Sequence, residues 1–66
     1  MDKSLLAIGG IILNTLPRPR TVTSVWEEVR RHDDGLTFEG FSLALTFLYT
    51  IGAVEMADEM VMSVRR

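Results

Sequence analysis

The 66-residue sequence contains no cysteine and only one histidine, His32. Without cysteine, disulfide bonds cannot stabilise so short a chain, and a zinc site has no thiolate ligands. Asp33 and Asp34 follow His32, but three adjacent side chains in a loop lack the convergent spacing of a zinc or calcium site. We interpret this segment as the polar end of a helix and expect neither a metal site nor a cofactor.

Groups that could act together in catalysis are also scarce. An enzyme needs acid, base or nucleophile groups that converge, whereas the carboxylates of this sequence fall mostly in predicted turns and caps. Seven basic and nine acidic residues give a net charge of −2, the wrong sign for a protein whose affinity comes from releasing counterions from phosphates. The sequence therefore predicts no enzyme and does not favour a nucleic-acid-binding protein.

Long apolar runs are missing as well. The apolar stretch over residues 5–13 stops at Asn14, well short of the ~20 residues that a helix needs to cross a bilayer. The start of the chain is not positive enough for a signal peptide, and no small-residue cleavage site follows the stretch. We expect no membrane partner, and the lack of cysteine fits a cytoplasmic location.

Apolar residues are nevertheless abundant for a chain of this size, at 47% of the sequence. A domain of about 60 residues buries only about 60% of the surface that its unfolded chain exposes, so its core gives marginal stability. Some apolar surface is then left for another chain to cover. We expect residues 1–66 to form one domain that works by binding another macromolecule, most readily a protein.

A first helix is indicated by apolar residues at helical spacing. They are Leu5, Ile8, Ile12 and Leu16, with Leu6, Gly9 and Leu13 beside them. Asp2 or Ser4 can cap the start of this helix, and Pro17 ends it. The adjacent Gly9 and Gly10 weaken a helix, which is tolerable where another helix packs closely.

A second helix is predicted with Thr23 or Ser24 as its N-cap. If Ser24 is the cap, Glu27 completes a capping box. The apolar positions of this helix are Val25, Trp26 and Val29. The cationic residues 30–32 suit the negative end of the helix dipole, and residues 33–35 form the following turn.

A third helix is predicted from its N-cap, Thr37, to about Ile51, with Gly52 as the stop. At 100° per residue, one face becomes the expected core face, made of Phe38, Phe41, Leu45, Leu48 and Tyr49. The opposite face holds three polar residues and three apolar ones: Glu39, Thr46 and Thr50, with Leu43, Phe47 and, at the edge, Ile51.

Residues 53–64 allow two interpretations. They can form two short strands around a turn at Asp58 and Glu59, or a fourth helix, because Met56, Met60 and Val64 recur at helical spacing. The sharp break before them favours the hairpin. With a linker or short strand at residues 18–21, the order of elements is that of a winged helix-turn-helix: mainly α within the α+β class, three helices plus a C-terminal β-hairpin.

A winged helix that reads DNA offers polar and basic side chains on the outward face of its last helix. The predicted third helix contains no Lys or Arg. Arg65 and Arg66 lie at the tail of the chain, and the other arginines are Arg18, Arg20, Arg30 and Arg31. We interpret them as solvated charges; the latter four are the candidate nucleic-acid contacts in the alternative, a DNA-binding regulator, or within an assembled complex.

The predicted partner surface combines the outward face of the third helix with the methionine-rich hairpin. Its residues are Leu43, Phe47, Ile51, Met56, Met60 and Met62. The flexible methionines could instead cover Leu43 and Phe47 within the chain. A further alternative is self-association through the same residues, which would give a homodimer.

Three segments of the chain, residues 3–9, 21–26 and 36–55, carry a resemblance to a known family. The most telling is the pattern F-x-x-A-L-x-F-L-Y-x-I-G-A-V-E over residues 41–55. The sequence resembles the small middle components of bacterial ABC-three component systems. This resemblance implies an accessory adaptor that binds an SMC-like or Rad50-like ABC ATPase and a third component, in systems directed against phages and other invading DNA. It supplies no catalytic or ligand residues to transfer.

Overall fold

The computed structural model describes residues 5–64, which form three α-helices and a three-stranded antiparallel sheet. The elements are α1 (Leu5–Asn14), β1 (Arg20–Thr21), α2 (Val22–His32), α3 (Phe38–Thr50), β2 (Val54–Ala57) and β3 (Met60–Ser63). The predicted three helices and C-terminal hairpin are confirmed, and the alternative of a fourth helix is wrong. None of the described helices has the length and apolar content needed to cross a bilayer.

Helix α1 lies against the rest of the chain along one stripe. Its predicted core residues Ile8, Ile12 and Leu16 are buried. Leu5, predicted as part of this stripe, and Leu6, expected to widen it, are 40% and 72% exposed, so the prediction is wrong at both positions. After the helix, the Thr15 hydroxyl donates to the Ile12 carbonyl over 2.7 Å, which satisfies a buried polar group. The predicted caps Asp2 and Ser4 lie outside the described residues.

The two glycines of α1 differ in their surroundings. A Cβ added to Gly9 would lie 3.2 Å from Leu48 Cδ2, so α1 approaches α3 closely at this position. The condition under which a glycine is tolerable in this helix, close packing of another helix, is therefore met at Gly9. A Cβ on Gly10 would meet nothing within 4 Å, and nothing in the structure explains why this residue is glycine.

Helix α2 starts two residues earlier than predicted. Its N-cap is Thr21, whose hydroxyl accepts a hydrogen bond from the Ser24 N–H over 3.1 Å, and not Thr23 or Ser24. Thr21 is also the last residue of β1, and the Val22 N–H donates to the Glu59 carbonyl over 3.1 Å. The sheet thus holds Thr21 in the extended conformation that an N-cap requires. The capping box from Ser24 to Glu27 is therefore wrong.

The end of α2 and the start of α3 agree with the prediction. Residues 30–32 form the last turn of α2, and the Gly35 N–H donates to Asp33 Oδ1 over 3.1 Å in the connecting turn. Thr37 caps α3 by accepting a hydrogen bond from the Gly40 N–H over 3.0 Å. Gly52, with φ 81°, follows the end of α3 and supplies the left-handed conformation that favours glycine.

The core face of α3 is rotated from the predicted one. Phe41, Leu45 and Leu48 are buried as expected, but Phe38 and Tyr49 are 53% and 54% exposed. Ala44, which was not assigned to the core, is fully buried. The small Ala44 side chain lies on the same side of α3 as Leu48, the residue against which α1 packs.

The sheet closes the core at the C-terminal end of α3. Its strand order is β1-β3-β2, and its buried valines are Val54 on β2 and Val61 on β3. Asp58 and Glu59, with φ 53° and 68°, form the two-residue turn between β2 and β3. Two consecutive residues of positive φ identify a type I′ turn, which fits the twist of a hairpin. The predicted hairpin turn is confirmed.

Candidate protein-binding surface

The guanidinium of Arg20 is occupied within the chain. Its Nε and Nη2 donate to Ser24 Oγ over 3.0 and 2.6 Å, and its Nη1 donates to the Thr15 carbonyl over 3.2 Å. Arg20 thereby ties the end of α1 to the first turn of α2. Three of its five N–H donors are used within the chain, which leaves two for another acceptor such as a phosphate.

The basic side chains at the end of α2 also interact with their own helix. Arg31 Nη1 lies 3.1 Å from Glu28 Oε1, and His32 Nε2 lies 3.7 Å from Glu28 Oε2. The Arg30 guanidinium lies 5.6 Å from the centre of the Trp26 ring. Arg18 is exposed. Within residues 5–64, no group of three His, Cys, Asp or Glu side chains is placed to hold a metal ion.

The outward side of α3 carries exposed apolar side chains beside the polar residues Glu39, Thr46 and Thr50. Leu43 and Ile51 are each 58% exposed, whereas Phe47 is half-buried and packs against the core. The only charged residue of α3 is Glu39. The hairpin methionines therefore do not cover Leu43, and α3 presents leucine and isoleucine to solvent.

Leu43 lies in an apolar groove between the first half of α1 and the first half of α3. The groove has a volume of about 180 Å³. Its lining residues are Leu5, Ile8, Gly35, Leu36, Thr37, Gly40 and Leu43. Leu5 is 40% exposed, and its neighbour Leu6 is 72% exposed. We call Leu5, Leu6 and the groove with Leu43 the α1–α3 surface.

A cluster of three aromatic rings lies where α2 meets the start of α3. The Trp26 ring centre is 5.3 Å from that of Phe38, in an edge-to-face arrangement, and 5.2 Å from that of Phe41. Phe38 is thus exposed on one side and in contact with Trp26 on the other. Helical periodicity assigned Phe38 to the core. It could not show that Phe38 instead packs its ring against Trp26 at the surface.

The six residues predicted to bind a partner lie in three places. Leu43 belongs to the α1–α3 surface, and Phe47 and Ile51 follow it along α3. Met56 is 39% exposed and lines a second groove beside Tyr49. Met60 and Met62 are half-buried on β3, and Met62 lies beside the segment 16–19. The structure brings Leu43 together with Leu5, which sequence reasoning did not select.

Exposure on α1 and acidity in the second half of the chain are the features that sequence reasoning missed. The absence of any charged residue from α1 was the available signal for exposed Leu5 and Leu6. Residues 33–64 contain no Lys, Arg or His, and their charged residues are Asp33, Asp34, Glu39, Glu55, Asp58 and Glu59. Helix α3 and the hairpin therefore form a surface that is apolar and anionic.

Comparison with known proteins identifies a family for this chain. Residues 1–65 match the family described as ABC-three component (ABC-3C) system Middle Component 6. No curated protein and no solved structure matches the chain.

Proposed function

This chain belongs to the Middle Component 6 family of ABC-three component systems, and we propose that it is a non-catalytic adaptor that binds the other components through the α1–α3 surface. The proposed partners are the SMC-like or Rad50-like ABC ATPase and the third component of its system. The proposed setting is defence against phages and other invading DNA, in the cytoplasm.

The observation that carries this proposal is the exposure of large aliphatic side chains on two adjacent helices. Leu6 and Leu43 are more than half exposed, and Leu43 lines a groove in which apolar atoms predominate. Burying a leucine side chain fully is worth about 1.5–3 kcal/mol. Exposed apolar side chains of this size are typical of a protein-binding site in a soluble protein.

Electrostatics supports a protein partner over DNA. Helix α3 has no cation, and the tip of the hairpin carries Asp58 and Glu59. Both elements contact DNA in winged helices that bind it, and carboxylates there repel phosphates.

Co-purification tests the adaptor proposal. The tagged chain is expressed with the ATPase and the third component of its system, then recovered after nuclease treatment and a high-salt wash. Apolar contacts survive salt, whereas contacts to phosphates weaken steeply. We expect the ATPase to remain bound. Loss of every partner on nuclease treatment would instead favour the DNA-binding regulator.

Single aspartate substitutions locate the binding surface. We expect Leu6→Asp and Leu43→Asp to lose the partner, because each buries an unpaired carboxylate in an apolar contact. Thr23→Asp is the matched control. It adds the same charge to an exposed position in the first turn of α2, where a carboxylate is favourable. If all three variants recover the partner equally well, the proposed surface is contradicted. Light scattering of the isolated chain tests the homodimer alternative separately.

A further inference from the structure

Within residues 5–64, strand β2 is an outer strand with one free edge. The sheet order β1-β3-β2 gives it a single neighbour, β3. Because a two-residue turn joins these strands, Ala57 and Met60 form the first hydrogen-bonded pair, and such pairs then alternate along the hairpin. The hydrogen bond from the Val64 N–H to the Ala53 carbonyl, 2.9 Å, agrees with this alternation, because residues 53 and 64 are also expected to form a hydrogen-bonded pair. The N–H and C=O groups of Val54 and Met56 therefore point away from β3.

A groove runs beside this free edge. It has a volume of about 510 Å³ and lies between β2 and the last turn of α3. Its lining residues are Tyr49, Gly52, Val54, Glu55, Met56 and Val64. Tyr49, Met56 and Val64 are all exposed. The edge thus combines unpaired backbone groups with apolar side chains, the two features with which strand-adding sites bind extended peptides.

Among the residues that the structure describes, the charged side chains on β2 and in its turn are all negative. Glu55 lies on β2 itself, and Asp58 and Glu59 form the adjacent turn. The next basic residues along the chain are Arg65 and Arg66, outside the described residues. A segment that pairs with β2 therefore needs basic side chains to complement these carboxylates.

We infer that the free edge of β2 binds one extended segment of a partner protein, in which apolar and basic side chains alternate. The apolar side chains enter the groove beside Tyr49 and Met56, and the basic ones contact Glu55 and the turn. This inference rests on the proposed function, because the segment belongs to a component that the chain binds.

A second copy of this chain fits the edge less well. Antiparallel pairing of two β2 strands through the backbone groups of Val54 and Met56 places Glu55 opposite Glu55 of the other copy. Like charges directly opposite each other destabilise a strand pair. The charge of the edge thus selects a different, cationic chain.

Amide hydrogen exchange tests strand addition without any substitution. Overlapping peptides from the ATPase and the third component are screened for binding, and exchange in the ¹⁵N-labelled chain is followed by NMR with the tightest peptide. We expect the bound peptide to alternate apolar and basic residues and to slow exchange of the Val54 and Met56 amides. Peptide binding that leaves both amides unchanged, or no binding peptide at all, would overturn the inference.

Proline at position 56 tests the backbone contact directly. Met56→Pro removes an N–H that faces away from β3, which an edge strand tolerates, and should weaken peptide binding by about tenfold or more through lost hydrogen bonds. Met56→Ala removes the side chain but keeps the N–H, so its loss should be smaller. Equal losses would assign binding to the side chain and refute strand addition.

The two proposals fail in different ways. If the ATPase and the third component both fail to co-purify with the wild-type chain, the adaptor proposal falls, and the strand-addition inference falls with it. If a component co-purifies but the Val54 and Met56 amides exchange as in the free chain, only strand addition is refuted.

Discussion

Replacing Gly10 by alanine should stabilise the protein. Gly10 lies within α1, is exposed, and has nothing within 4 Å of an added Cβ. Alanine is favoured over glycine in a helix interior by about 1 kcal/mol. For a chain of this length, total stability is on the order of 3–10 kcal/mol, so Gly10→Ala should raise the melting temperature by about 4–8 °C.

The same substitution at Gly9 should be less favourable. The gain in helix propensity is equal, but the new Cβ would lie 3.2 Å from Leu48 Cδ2 in the core. Overpacking of a core costs about 1–3 kcal/mol, which offsets or exceeds the gain. We therefore expect Gly9→Ala to be less stable than Gly10→Ala by about 1 kcal/mol or more.

Urea unfolding followed by circular dichroism at 222 nm measures both variants against the wild type. If the unfolding free energy depends on urea concentration as steeply in the variants as in the wild type, the shift in the urea midpoint reports the change in stability alone. Equal stabilisation by the two substitutions would refute the close packing of α1 on Leu48.

Three further changes test local features by the same unfolding assay. Thr21→Ala removes the N-cap of α2 and should cost about 1 kcal/mol, whereas Thr23→Ala should cost under about 0.5 kcal/mol; the reverse order would restore the predicted cap. Glu59→Gly should stabilise by about 0.5–1 kcal/mol, because relief of a left-handed backbone outweighs the added chain entropy; a loss would contradict the type I′ turn. Arg20→Met should cost about 1–2 kcal/mol through its lost hydrogen bonds, and no change would refute its role in tying α1 to α2.

Local sequence signals predicted the elements well. Thr37 and Gly52 marked the ends of α3, and Asp58 with Glu59 marked the hairpin turn, because caps and turns depend on residues close in the chain. The cap of α2 was misplaced because Thr21 is held by pairing with Met60, far along the sequence. A local pattern carries no information on that pairing.

The rotation of α3 has a similar cause. Apolar residues surround this helix almost completely, so periodicity could not choose between the flank with Phe38 and Tyr49 and the flank with Ala44. The approach of α1 at Gly9 decided the choice. Helical periodicity placed Leu43 on the outward face of α3, so the candidate surface was predicted there. Leu5 lines the same groove but lies on another helix, so only the tertiary structure reveals it.

The most direct test of the adaptor account is the dissociation constant of the chain for the ABC ATPase of its system, measured with the wild type, Leu43→Asp and Thr23→Asp at low and high salt. Leu43 is 58% exposed in the free chain. Burial of this exposed part against the partner contributes about 1–2 kcal/mol to the free energy of binding. An unpaired carboxylate adds at least about 1 kcal/mol. We predict that Leu43→Asp weakens binding by about 30-fold or more at both salt concentrations, and that Thr23→Asp binds as the wild type does. Unchanged affinity of Leu43→Asp, or wild-type binding that requires nucleic acid, would contradict the account.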